Sequence, residues 1–226
     1  MSFFGRGLAG RHGHPCLRHF AIWALTVWAA GSISCASTGR EAKSDAIPVI
    51  YSTDLYHPHN DPDDHFDLAA LYAMPELDLK GIVLDQGRDQ LKAPGTAPVS
   101  QMNRIKGKTI PAVLGLGRKL THPGDTALDE DPRFQEGIRF ILSTLRDSPV
   151  PVTIVAVGSV RDVTAAYNRE PELFRAKVGK VFAFIGEASH PTFQEYNVAL
   201  DPHAYIGLMR SGLPLYWIPC FDGGEW

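Results

Sequence analysis

The sequence predicts an α/β fold: an open, mostly parallel sheet with helices on both faces. Three observations carry that prediction. Short apolar runs that read as buried strands recur through residues 47–226. Segments with helix-like patterning lie between them. Aspartate and proline stand where helices would start or stop. Strands that alternate with helices imply parallel pairing through helical crossovers.

Taken in order, Ile47-Pro48-Val49-Ile50-Tyr51 is the first strand. An aspartate-rich loop follows, and residues 66–74 form a helix stopped by Pro75. Residues 79–84 are the second strand. Residues 90–100 carry Pro94, Gly95 and Pro98 and read as a loop. Residues 109–115 are a short third strand. Asp131-Pro132 opens a helix in which Phe134, Ile138, Ile141, Leu142 and Leu145 share one face, with the proline tolerated in the first turn. Residues 152–158 are the clearest buried strand, followed by a helix over 162–168 and another strand over 181–186. Asp201-Pro202 reads as N-cap and first-turn proline of a helix to 210, and residues 215–219 are the last strand. Trp217, Phe182 and Phe184 are expected in the core. There is no internal repeat.

Composition bounds the class. With 226 residues, 44% hydrophobic and 21% charged, the chain can bury the core of one domain or slightly more. A net charge of −3 argues against nucleic acid as a partner. The first 20 residues carry Arg6, Arg11 and Arg18 and no acid, and the apolar run 21–30 is too short to span a bilayer comfortably. Small residues follow up to Cys35. Residues 1–35 therefore read as an export signal, and Cys35 lies where a lipoprotein's lipidated cysteine would lie. An uncleaved anchor is the alternative. Residues 36–46 are small and polar, a tether, and residues 47–226 are the folded domain. The expected location is the periplasm or cell envelope. Cys220 would then be the one cysteine left in the mature body besides Cys35, so no internal disulfide is expected.

The most informative stretch is Ser52 to Asp67, with five aspartates and three histidines directly after the first strand. Like charges this close repel unless a cation, solvent or proton relieves them. The carboxyl end of a strand is also where α/β folds place ligands. Asp54, Asp61, Asp63 and Asp64 are therefore candidates for a metal-assisted site. Plainer readings stand beside this one: Asp54 could cap a turn, Asp61-Pro62 is a turn pair, and Asp63 and Asp64 suit the first turn of the next helix. His57 and His59, near aspartates, could instead ligate a transition metal.

The order of features resembles the inosine-uridine-preferring nucleoside hydrolase family, with its Rossmann-like core. That family opens with a strand and an Asp-x-Asp-Pro-Gly-x-Asp-Asp loop. The counterpart here is Thr53-Asp54, an apparent insertion, then Asp63-Asp64. The stretch 73–82 looks like the family's Ser-Pro-Glu segment, 154–160 like its Leu-Val-Ala-x-Gly-Pro-Leu segment, and 195–204 like its Glu-Phe-Asn-(x)3-Asp-Pro-Glu-Ala segment; Ser211-Gly212-Leu213-Pro214 is also family-like. Three departures stand out. The aspartate loop is stretched, so Asp61 competes with Asp54 as first metal ligand. Arg88 replaces an asparagine, and Arg161-Asp162 replaces a Thr-Asn pair. The family supplies a further metal-binding aspartate beyond the point matched by Trp226, which leads to the expectation that the domain is incomplete at its C-terminus.

The resemblance implies calcium-assisted hydrolysis of the N-glycosidic bond of a ribonucleoside or related N-riboside, giving ribose and free base. By it, Asp54 (or Asp61) and Asp64 would bind the metal, for which calcium with its oxygen ligands is suited. Asp63 would take the proton from the attacking water. Glu195 and Asn197 would hold ribose hydroxyls, on one side if the segment is extended. Arg88 would contact sugar or phosphate, or pair with Asp85. The alternatives are a non-catalytic nucleoside- or ribose-binding protein on the same scaffold, and a His57/His59 transition-metal hydrolase. Family members often form homo-oligomers.

Overall fold

The structure, a computed structural model, describes residues 46–59, 62–187 and 194–220. Asp61 and the leader with Cys35 lie outside the described residues. The element order is β1 (Ile47–Thr53), α1 (Asp63–Ala73), β2 (Leu77–Leu84), α2 (Gly87–Gln90), α3 (Thr96–Lys106), β3 (Ala112–Leu114), a 3₁₀ turn Pro132–Phe134, α4 (Glu136–Asp147), β4 (Val152–Ala156), α5 (Arg161–Arg169), α6 (Pro171–Lys177), β5 (Val178–Glu187), α7 (Tyr196–Leu200), α8 (Pro202–Met209) and β6 (Leu215–Cys220).

The six strands form one sheet in the order β3-β2-β1-β4-β5-β6, and every pairing is parallel. Successive residues of β1 face opposite sides. Val49 and Tyr51 join Ile82 and Leu84 in a core closed by Leu68 and Tyr72 of α1 and Val99 of α3. Ile50 joins Val83, Ile154 and Val181 in a larger core closed by Ile138 and Ile141 of α4, Val163 of α5, Phe174 of α6 and Leu208 of α8. Helices thus cover both faces, as expected. The chain leaves β1 towards β2 and β3 on one side and resumes with β4, β5 and β6 on the other. The carboxyl ends of β1 and β4 therefore mark the topological switch point, where open α/β sheets bind ligands.

Four expectations are corrected. Residues 96–100, expected in the loop 90–100, instead open helix α3. Pro98 falls in its first turn, where no intrahelical N–H is needed, and Gly107 ends it with φ +61°. The helix begun at Asp131 opens as a 3₁₀ turn before α4 continues, with Asp131 accepting the Arg133 N–H. The segment holding Glu195 and Asn197 is helical, because Glu195 caps it by accepting the Asn197 and Val198 N–H groups. Phe184 and Trp217 are 41% and 38% exposed rather than buried, and Phe182 is half-buried, stacked on Tyr216. They lie on β5 and on β6, the edge strand.

Candidate active site

The site is built where β1, β2 and β4 end. Asp54 follows β1 directly, and Asp63 and Asp64 open α1. The Thr53 hydroxyl donates to Asp64 Oδ2 at 2.8 Å and accepts the Leu55 N–H at 3.1 Å. That latch draws the helix start against the strand end. Asp64 is buried, and Asp54 is half-buried beside it, its Oδ2 accepting the Gln86 amide at 3.3 Å. Asp63 is exposed beside them and accepts the Asp64 N–H at 2.8 Å. Burial, then the neighbouring Asp64 and Asp85, raises the Asp54 carboxyl well above its ordinary range. Burial pushes Asp64 up to about 7, with Asp63 and Asp67 adding repulsion and the Thr53 hydrogen bond opposing it. The Tyr51 hydroxyl, close to Asp64, is buried with no hydrogen-bond partner among the described residues.

A third carboxylate, Asp85, follows β2. Its Oδ2 accepts the Ser159 N–H at 2.6 Å and its Oδ1 the Gln86 N–H at 2.7 Å. Gly158 lies between the two strand-end aspartates. A Cβ there would come within 2.7 Å of Asp85 Oδ2 and 3.2 Å of Asp54 Oδ1, so glycine is needed for the close approach. Gln86 and Val160, which flank this contact, both sit in the left-handed region at φ +56° and +55°. For the β-branched Val160 that is a strained conformation, of the kind found at functional sites.

Behind the carboxylates lies the buried Arg161. Its Nε donates to Ser159 Oγ at 2.8 Å and stands 3.5 Å from Asp85 Oδ1 and 3.7 Å from Asp201 Oδ2. Its Nη2 donates to the Leu200 carbonyl at 3.0 Å. Asp201 caps α8 by accepting the Ala204 N–H at 3.0 Å, as the sequence suggested.

Of the sequence candidates, the structure brings Asp54, Asp63 and Asp64 together. Asn197 lies near the same sheet end, its amide donating to the Val157 and Phe184 carbonyls at 3.2 Å each. Glu195 accepts the Gly186 N–H at 2.8 Å and caps α7. Arg88 pairs with Glu130 at 3.1 Å and packs over Phe134; the cation beside Asp85 is Arg161. The His59 ring meets His65 edge-on at 5.5 Å. Asp85 and Arg161 were missed as site residues. Asp85 carried a usable signal, since it ends the second strand as Asp54 ends the first.

Among the described residues no group of three or more His, Cys, Asp or Glu side chains is placed to hold a metal ion. The donor chemistry of the pair nonetheless fits a hard divalent cation: a buried carboxylate, Asp64, and a half-buried one, Asp54, each disfavoured as an anion by desolvation and by its neighbours.

The family described as inosine-uridine preferring nucleoside hydrolase matches residues 49–220. The pyrimidine-specific ribonucleoside hydrolase RihA of Citrobacter koseri is 30% identical over 189 residues, covering 75% of this chain and 59% of that protein. Its namesake from Salmonella arizonae is 28% identical with the same coverage. The chain thus spans 59% of the length of these curated relatives. Among solved structures, a purine-preferring ribonucleoside hydrolase from Gardnerella vaginalis superposes with TM-score 0.56 at 20% identity, over 76% of this chain and 60% of that one. An inosine-uridine preferring nucleoside hydrolase from Bacillus anthracis gives TM-score 0.56 at 16% identity, over 76% and 64%.

Proposed function

We propose, from the premise that this chain belongs to the inosine-uridine preferring nucleoside hydrolase family, that it hydrolyses the N-glycosidic bond of ribonucleosides or related N-ribosides to ribose and free base. The observation that carries the reading is the convergence at the sheet's switch point of Asp54 after β1, Asp85 after β2 and the buried Asp64 of α1, latched to Thr53, with Asp63 exposed beside them.

In this reading Asp54 and Asp64 would hold a divalent cation, which we assign as calcium; bound there it would lower the pKa of a water and grip the sugar diol. Asp61, in the stretched loop, is the rival to Asp54. Asp63, the exposed carboxylate of the cluster, takes the proton from the attacking water. Asn197 has its amide nitrogen engaged with two strand-end carbonyls, so its Oδ1 is the atom offered to a sugar hydroxyl. Glu195 accepts backbone N–H groups through both oxygens and keeps lone pairs for a further hydroxyl. Arg88 meets the substrate only if it leaves Glu130. The leader carries over as a proposal of export to the cell envelope, with a lipid anchor at Cys35, checked by membrane fractionation of a Cys35→Ser variant.

The deciding experiment is a free-ribose assay on inosine and uridine, with calcium and with chelator, for the wild-type protein and Asp63→Asn. Release that needs the metal and disappears in the variant supports the reading. Ribose binding without release favours a non-catalytic binder instead. Full activity in Asp63→Asn removes Asp63 as the base.

A further inference from the structure

We propose that Arg161 is a positioning residue: its buried guanidinium ties the strand ends that carry the carboxylates to α7, and so sets where Asn197 meets the sugar. The idea rests on the functional reading above for the sugar, but not for the tie itself.

The guanidinium touches three separate segments. Through Ser159 it holds the turn after β4, whose own N–H holds Asp85. Through charge it stands between Asp85 and Asp201. Through the Leu200 carbonyl it grips the last residue of α7. Asp201, next in the chain, also accepts the Leu120 N–H at 2.8 Å, so the exit from α7 is fixed on two sides. The other end of α7 is held by Glu195 on the Gly186 N–H. A helix of only 5 residues has little stability of its own. Its place depends on its contacts with the rest of the chain, which besides those at its ends include Lys119 Nζ on the Ala199 carbonyl at 2.8 Å and the Asn197 amide on the Val157 and Phe184 carbonyls.

The geometry needs arginine rather than any cation. Nε and Nη2 project along different directions of one rigid plane, one to Ser159 and one to Leu200. A lysine ammonium could neutralise Asp85 and Asp201 but would not reproduce that planar fork. The resemblance places a Thr-Asn pair where this chain has Arg161-Asp162, so the tie belongs to this chain's own departure from the pattern.

The test uses Arg161→Lys and Arg161→Gln in the full chain, with two readouts. Amide hydrogen exchange without substrate should quicken about tenfold over residues 197–201, the scale of one lost hydrogen bond to a charged group, while residues 49–52 of β1 stay protected. In ribose release, KM should rise about tenfold in both variants with kcat changed less. A lysine variant with wild-type exchange and KM would make Arg161 a counter-charge only and overturn the proposal. Exchange that rises equally in β1 and α7 would make it a general fold residue, with the same result. If the wild-type protein releases no ribose, the functional reading fails by itself, and exchange at residues 197–201 still decides whether Arg161 positions α7.

Discussion

Replacing Asp162 by asparagine should make the protein more stable at alkaline pH. Asp162 is 1% exposed, and both its oxygens accept the Leu116 N–H, at 3.0 and 3.1 Å. It sits in a cradle of glycines: a Cβ at Gly115 would lie 2.3 Å from Oδ2, and one at Gly137 2.7 Å from Oδ1. Burial, then repulsion from Asp85, pushes its carboxyl up to about 8, against the pull of the Leu116 N–H, Arg161 and Arg169. The folded chain therefore keeps a proton there that the unfolded chain releases near pH 4. The stabilisation is full below about pH 4 and is lost as pH rises through about 8. Asparagine has nearly the shape of the neutral acid and cannot ionise. Relative to the variant, the wild type should lose up to ~1.4 kcal/mol per pH unit within that window. Over the roughly four pH units of that window the total by pH 9 should be about 5–6 kcal/mol. For a domain of this size that is roughly 10–24 °C in Tm. Thermal unfolding followed by circular dichroism from pH 4 to 9 measures it. Parallel Tm curves for the two proteins would refute the reasoning, and so would a variant less stable throughout, because the carboxylate itself would then be the stabilising form.

Three further outcomes follow from the same geometry. Gly158→Ala should place a methyl group against Asp85 and Asp54 and cost about 1–3 kcal/mol by overpacking, with ribose release falling further than chemical-denaturation stability accounts for. Asp125 should matter at the acid end. Burial alone would raise its carboxyl, but hydrogen bonds from Arg118, from the Thr121 and Ala127 N–H groups and from the Thr121 hydroxyl hold it below the ordinary range. Its contribution is thus present above about pH 4 and lost as pH falls below that, so Asp125→Asn should lower Tm at pH 7 and much less at pH 2. Calcium titrated by calorimetry should bind the wild-type protein and not Asp64→Asn; equal binding by both would move the cation away from the Asp54–Asp64 pair.

The fold was legible because its signals are local. Apolar runs such as 152–157 declare buried strands without knowledge of their neighbours, and alternation with helices then leaves few topologies. Punctuation by proline and glycine was read less well. Pro98 and Gly107 mark the first turn and the end of α3, yet the same residues signal a loop when their spacing is not set against a helix length. The aspartates after β1 were legible as a group because five fall within one stretch. Asp85 offered only its place at the end of the second strand, and Arg161 offered nothing, since what makes it part of the site is a meeting of β2, β4 and α7 across long separations in sequence. Arg88 was the nearer cation to Asp85 in sequence, but its guanidinium reaches Glu130 instead.

The stretched loop bears on how such a site tolerates change. The insertion between Asp54 and Asp63 would be expected to pull the two halves of the aspartate cluster apart. The structure holds them together by contacts at the roots of the loop rather than by its length. Thr53 latches Asp64 across 11 positions of sequence. Leu55 is buried, and its carbonyl accepts the Gln90 amide at 3.0 Å. His65 in α1 reaches the Tyr56 carbonyl at 3.0 Å. Each contact joins the end of β1, or a residue just after it, to α1 or α2. Loop closure costs grow only slowly with length, so residues can be added between these anchors while the anchors themselves keep the ends of β1 and α1 together.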